Sequence, residues 1–284
     1  MISSAWGPLA YLNYHRHLTH ALIVAPLIAL LPLLLVRLAV RKPIEWKKAY
    51  LLSLIGIASH LALDLTNVYG VRLLLPFSPR WLRLDIFSII DPWIWGVFLL
   101  AVIGPALSKL IGSEIGERSR PSRAPAIFAL SFLLVYGCAR VIIHERALAI
   151  IDSRIYDGSP PRRVAAFPSA YNPFAWRGLV EGASFYSLVD VNVLEIFDPT
   201  DRRVFYFPEE GDAIRVARQT EVFRDFLAFS QFPVWTVTPV SEPANGFRIE
   251  VSDLRFGTSP GQGFTATAIL DSQLRVVHTS FQFL

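Results

Sequence analysis

The sequence predicts an α-helical polytopic membrane domain of about four spans, followed by a small soluble α+β domain built mainly of antiparallel sheet. Three observations predict it. The 284-residue chain is 53% hydrophobic with a mean hydropathy of +0.42, against ~45–50% apolar residues in an ordinary soluble protein. The excess is confined to residues 21–143, dominated by Leu, Ile, Ala and Val, whereas residues 145–284 read as a soluble mix with regular charges. That second part also alternates apolar and polar residues in short runs bounded by Asp, Asn, Gly and Pro, the pattern of half-buried strands. The expected domains are therefore 1–150 in the membrane and 151–284 on its outer side.

Taken in order, residues 1–12 carry no Asp, Glu, Lys, Arg or His and match neither a basic signal-peptide start nor a full span. The run 21–40 is long enough to cross a ~30 Å hydrocarbon core at ~1.5 Å per residue. Pro26 and Pro32 are expected to kink it, which neighbouring helices tolerate. Further spans are predicted over 49–68, 87–111 and 124–143, the last continuing toward Ile155. Asp91 before Pro92 reads as an N-cap at a helix start. From Asp152 onward, Pro160-Pro161, Pro168 and Asn172-Pro173 predict a turn-rich linker. A hairpin is expected from 186–197 with 203–207, a helix over 213–229, and strands over 234–239, 247–256, 264–270 and 274–283.

The net charge of +4 would suggest nucleic acid in a soluble chain. Here the basic residues (Arg41, Lys42, Lys47, Lys48, then Arg118, Arg120, Arg123) gather between apolar runs, where the positive-inside rule accounts for them, so no nucleic-acid partner is expected. With those loops in the cytoplasm, His15, His17, His20, His60, Asp64, Asp85, Asp91 and His144 all fall at one outer membrane surface. The charge rule did not require that convergence. Cys138, the single cysteine, excludes a disulfide framework and a zinc–thiolate site and is expected in core packing.

His60 and Asp64 stand four residues apart, on one face of a helix, and can grip one ion. A structural helix–helix clamp is the competing reading. For His15 and His20 it is contact with lipid headgroups. Together, histidine and carboxylate without thiolate suit zinc, manganese or iron. Such an ion polarises a phosphoryl or carbonyl oxygen, which is hydrolytic chemistry. Asp85 is a candidate ligand or base. Arg16 and Arg80 are candidate anion contacts, with lipid headgroups the alternative. His144 reads as a plain interfacial residue, and Trp81, Trp93 and Trp95 as an interfacial belt. No G-x-S-x-G or H-E-x-x-H motif occurs.

At these residues the sequence resembles the YdjM-like family of membrane-bound metal-dependent hydrolases. The resemblance rests on His15-Arg16-His17-Leu18-Thr19-His20, His60-Leu61-Ala62-Leu63-Asp64, Tyr69-Gly70, Pro76-Phe77-Ser78 and Asp91-Pro92, in order over residues 11–95. His17 replaces a family Gly, and Ala21 a family Ser. The family pattern opens with a further apolar helix ending in P-D-x-D, so the resemblance implies that one or more acidic ligands are absent from these residues: either the start codon is assigned too far downstream, which is the favoured reading, or this copy has lost metal chemistry.

The expected function is thus an integral membrane metal-dependent hydrolase with His15, His20, His60 and Asp64 as ligands. It would sit in a bacterial or archaeal inner membrane among membrane lipids and act on a phosphoester or lipid-derived substrate at the outer face. A non-catalytic membrane scaffold whose outer domain binds a partner is the alternative. A transporter ranks third, since it needs ionisable groups nearer the midplane.

Overall fold

In a computed structural model, residues 8–40, 43–114, 122–259 and 261–282 are described. Arg41, Lys42, Glu117, Arg118 and Arg120 of the predicted basic connections lie outside them.

The chain opens with α1 (Pro8–Tyr14), a 3-10 turn (Leu18–His20), α2 (Ala25–Ile28), α3 (Leu30–Ala39) and α4 (Trp46–Thr66). The first apolar run is therefore not one helix of full length. Pro26 sits in the first turn of α2, where its missing N–H is harmless. Pro32 removes the N–H that would continue the ladder to Ile28, and the helix breaks at Ala29. Next come α5 (Pro92–Glu114) and α6 (Ala124–Asp152). Asp91 caps α5 as expected, its Oδ1 accepting the N–H groups of Trp93 at 3.0 Å and Ile94 at 3.2 Å. The segments Trp46–Thr66, Pro92–Leu110 and Ala124–Asp152 are long and apolar enough to cross a membrane. They are apolar all round yet almost entirely uncovered by protein, which suits lipid and not water. Cys138 lies on an exposed face of α6, a correction to its expected place in the core.

The second half holds β1 (Arg163–Pro168), β2 (Ala175–Glu181), β3 (Phe185–Asn192), β4 (Arg202–Tyr206), α7 (Asp212–Gln219), α8 (Glu221–Phe229), β5 (Pro233–Val240), β6 (Gly246–Asp253), β7 (Thr265–Leu270) and β8 (Val276–Gln282). The predicted single helix over 213–229 is two, because Thr220 is extended and caps α8 with its side chain. The predicted linker contains β1 and β2, paired antiparallel from Arg163↔Glu181 to Pro168↔Trp176. Pro168 is tolerated because it ends its strand. Among the described residues, two four-stranded sheets result, in sequential order β1-β2-β3-β4 and β5-β6-β7-β8.

Contacts divide the chain into two compact units that cut across position 150. One joins Met1–Leu84, Ser184–Tyr186 and Val204–Leu284; the other joins Asp85–Ala183 and Ser187–Arg203. In the first, α7 and α8 cover the second sheet, and the core of Phe223, Phe226, Phe229, Ile249, Val251 and Leu270 also takes in Leu12 of α1 and Tyr69. Trp81 packs against that core and not in an interfacial belt. In the second unit, β1 and β2 pack on the end of α6. Gly178 makes this possible, since a Cβ there would lie 2.7 Å from Ile151 Cδ1 and 2.6 Å from Val189 Cγ2.

Candidate metal centre

Helix α1 closes with His15 N–H donating to Tyr11 at 2.8 Å. Arg16 then reverses the chain in the left-handed region (φ 56°), and the 3-10 turn lays His20 over the C-terminal part of α4. There His60 and Asp64, one turn apart on α4, complete a group of three. Nε2 of His20 lies 3.3 Å from Nε2 of His60 and 3.5 Å from Asp64 Oδ2. His60 Nε2 lies 3.7 Å from the same oxygen. Bonds of ~2.0–2.2 Å at tetrahedral angles place neighbouring donors ~3.3–3.6 Å apart. The observed triangle is therefore about the size that one small cation imposes on its ligands.

The polar inventory agrees. Asp64 is buried, and its Oδ2 accepts no hydrogen bond, a costly state for a carboxylate oxygen. Its Oδ1 is held by Arg16 Nη2 at 3.0 Å. Arg16 is fixed in turn: Nη1 donates to Asn67 Oδ1 at 3.2 Å and to Gly70 O at 2.9 Å, and the guanidinium lies 4.6 Å over the Tyr69 ring. Asn67 Oδ1 also accepts the N–H groups of Tyr69 and Gly70. Only glycine fits at position 70, where φ is +80° and a Cβ would lie 2.7 Å from Leu82 O.

Thr19 Oγ1 lies 2.9 Å from His20 Nδ1. With Nδ1–H donating to that hydroxyl, the Nε2 lone pair faces Asp64 and His60, the usual way a neighbouring group sets a ligand's tautomer. Burial pushes the His20 imidazole down to about 4, against the pull of Asp64. Burial and then Arg16 push His15 down to about 4 as well. Both are neutral near pH 7, the form that coordinates metal.

Beneath this site lies a group that sequence reading passed over. Arg255 and Asp253 form a fully buried pair, Nη2 to Oδ2 at 2.8 Å. Arg255 Nη1 donates to Val68 O at 3.2 Å and Tyr69 O at 3.4 Å. Burial opposes ionisation of Asp253, but the Arg255 guanidinium overcomes it and holds the carboxyl below the usual range. The second sheet thus grips the backbone of the loop that holds Arg16. Nothing in the local pattern marks Arg255. Asn67, three residues after Asp64, offered the clearer signal.

The remaining candidates fall elsewhere. His15 stacks on Tyr11 at 4.3 Å and stands 6.0 Å from His20, centroid to centroid, outside the three-donor group. Arg80 is exposed, and its backbone N–H donates to Ser78 Oγ. Asp85 belongs to the second unit, where it is buried with φ 56°. In that unit His144, expected as a plain interfacial residue, is buried against Trp176 at 5.0 Å.

A family model described as YdjM inner membrane protein matches residues 2–147, and one described as the YfhP C-terminal alpha/beta plait domain matches residues 212–284. The second match coincides with α7, α8 and the sheet β5–β8. The chain is 24% identical over 272 residues to a Bacillus subtilis (strain 168) protein described as "Uncharacterized protein YfhP", covering 94% of this chain and 76% of that one. No solved structure matches. With the first model spanning more than half of it, and with helices fit to cross a bilayer, the chain is an integral membrane protein that belongs to the YdjM inner membrane protein family.

Proposed function

We propose that this protein is a membrane metal-dependent hydrolase whose His20, His60 and Asp64 hold a divalent cation (zinc, manganese or iron) and act on a phosphoester or lipid-derived substrate at the outer membrane face. The observation that carries this reading is the triangle of donor atoms with an unbonded, buried Asp64 oxygen at one corner. A divalent cation there would supply Lewis acidity toward a phosphoryl or carbonyl oxygen. Arg16 keeps Asp64 oriented, and Thr19 orients His20. His15 lies beside the group, its ring 6.0 Å from that of His20 between centroids.

A lipid-derived substrate is supported by the surface below the site. An apolar cavity of about 490 Å³ between α3 and α4 is lined by Pro32, Leu33, Leu52, Ser53 and Gly56, a volume typical of small-molecule sites. Ser53, Gly56, His60 and Asp64 share one face of α4 by their spacing. A Cβ at Gly56 would meet nothing within 4 Å, so there is open space at that position of the face. An outer site and an outer C-terminal domain both follow from placing the basic connections in the cytoplasm.

Elemental analysis of detergent-purified protein tests the proposal. Near-stoichiometric transition metal in the wild type, lost in His60→Ala/Asp64→Ala, is the expected result and opens a phosphoester and lipid-ester screen. Absence of metal from both, with the variant folded, would sink the hydrolase reading and leave the scaffold.

A further inference from the structure

In the second unit, the β1–β2 loop is bonded both to the first turn of α5 and to the β3–β4 turn. Trp93, in the first turn of α5, donates its Nε1–H to Tyr171 O at 3.1 Å, which fixes the β1–β2 loop to that turn. Val193 N–H donates to Phe174 O at 3.1 Å, which brings the β3–β4 turn to the same edge. These loops carry large apolar side chains into the open: Tyr171 is 80% exposed, Leu194 70% and Ile196 99%, beside Trp93 at 51%. One exposed Ile means little, but apolar side chains gathered on one edge mark an interaction surface.

The turn is built to carry them. Val193 and Phe197 are buried and anchor it at both ends, while Leu194 and Ile196 between them face outward. Its backbone is bonded internally. Asn192 Oδ1 accepts Leu194 N–H at 3.2 Å, Asn192 O accepts Glu195 N–H at 3.1 Å, and Asn192 Nδ2 donates to Glu195 Oε1 at 2.5 Å. With the Leu194 and Glu195 N–H groups paired inside the turn, fewer polar groups are stranded when it leaves water. Tyr and Trp at the same edge are the residues that favour the headgroup layer.

We propose that the β3–β4 turn dips into the bilayer that α5 crosses, with Leu194 and Ile196 at the boundary between headgroups and acyl chains and Tyr171 and Trp93 in the headgroup layer. The occupant is lipid because the surface is continuous with the entry of a membrane-spanning helix through the Trp93–Tyr171 bond. The first sheet then stands with its β1–β2 and β3–β4 edge on the membrane, and the turn is a second anchor beyond the helices.

The test uses full-length protein in lipid nanodiscs, with Cys138→Ser as background and Ile196→Cys carrying an environment-sensitive fluorophore. Asp190→Cys, at an exposed position of β3 in the same unit, is the control. Lipids with a spin label high on the acyl chain should quench the label at position 196 several-fold more than the control, and aqueous iodide should quench it several-fold less. Equal quenching by iodide at both positions, or shielding of position 196 from both quenchers by a covering protein, would overturn the proposal. A second measurement compares Leu194→Asp/Ile196→Asp with the parent. Protease cleavage between 192 and 199 should rise in nanodiscs and stay unchanged in detergent, and no difference in nanodiscs would also overturn it.

Discussion

Near one end of α4, His60 and Asp64 are set a turn apart in an apolar helix. On α6, Tyr136, Arg140 and His144 form a similar stripe, spaced four positions apart. The two stripes look alike on a helical wheel, yet their polar atoms are differently engaged. On α6 the Tyr136 hydroxyl donates to Asp91 Oδ2 at 3.1 Å, Arg140 donates Nε to Ile86 O at 3.1 Å and Nη1 to Pro173 O, and His144 Nε2 lies 3.2 Å from Ala166 O. Arg140 also lies 4.1 Å over the Trp176 ring. That stripe is a clamp that ties helix to sheet and loop. On α4 the atoms that converge are lone-pair bearers, and one of them, Asp64 Oδ2, is buried without a donor. Spacing predicts that side chains share a face; each stripe keeps one buried unmet atom, but on α6 it is a donor, Arg140 Nη2, and on α4 an acceptor, and only a lone pair can hold a cation.

The comparison predicts opposite phenotypes. Arg140→Met strands the carbonyls of Ile86 and Pro173, so thermal unfolding in detergent should show a loss of about 1–3 kcal/mol, with metal content as in the parent. Loss of metal in that variant would break the distinction drawn between the stripes. Thr19→Val keeps the shape of the threonine side chain and removes the hydroxyl that orients His20. Metal affinity should fall ~10-fold, as for other partners of metal-bound histidines, with little change in unfolding. Titration with a competing chelator reads it, and an unchanged affinity would mean that the Thr19–His20 bond does not orient the ligand.

A further effect is with pH. His15 and His20 fall to about 4 in the folded chain against ~6.5 unfolded. Between those values the unfolded chain binds more protons, so stability rises with pH. Their contribution is complete above about pH 6.5 and is lost as the pH drops toward 4. Metal-free protein should therefore unfold at progressively lower temperature across that window, and His15→Gln should flatten the decline.

Much of this was legible in the sequence because it is local. His60 and Asp64 are joined by helix geometry, Asp91 by its place before Pro92, and the strands β5 to β8 by alternation. What escaped depends on partners far along the chain. Arg16 resembled an anion contact, and only its pairing with Asp64 across 48 positions shows that its guanidinium is committed to a protein carboxylate. Strands β1 and β2 were hidden by prolines that read as linker, because a strand's end accepts a residue without an N–H as readily as a loop does. Arg255 looked like one more strand cation. Its burial follows from Asp253 two residues earlier and from carbonyls in a loop that no periodicity connects to it.

The reach of Arg255 also has a consequence in time. It meets the carbonyls of Val68 and Tyr69 across 187 and 186 positions. At ~5–20 residues per second, the ribosome takes roughly 10–40 s to travel from one partner to the other. Helix α4, with two of the three residues of the candidate site, is made early, while the floor under the adjoining loop arrives only with Asp253 and Arg255. The three donor residues His20, His60 and Asp64 are all made before that interval begins, and the loop that steadies Arg16 gains its support only once Arg255 has been added.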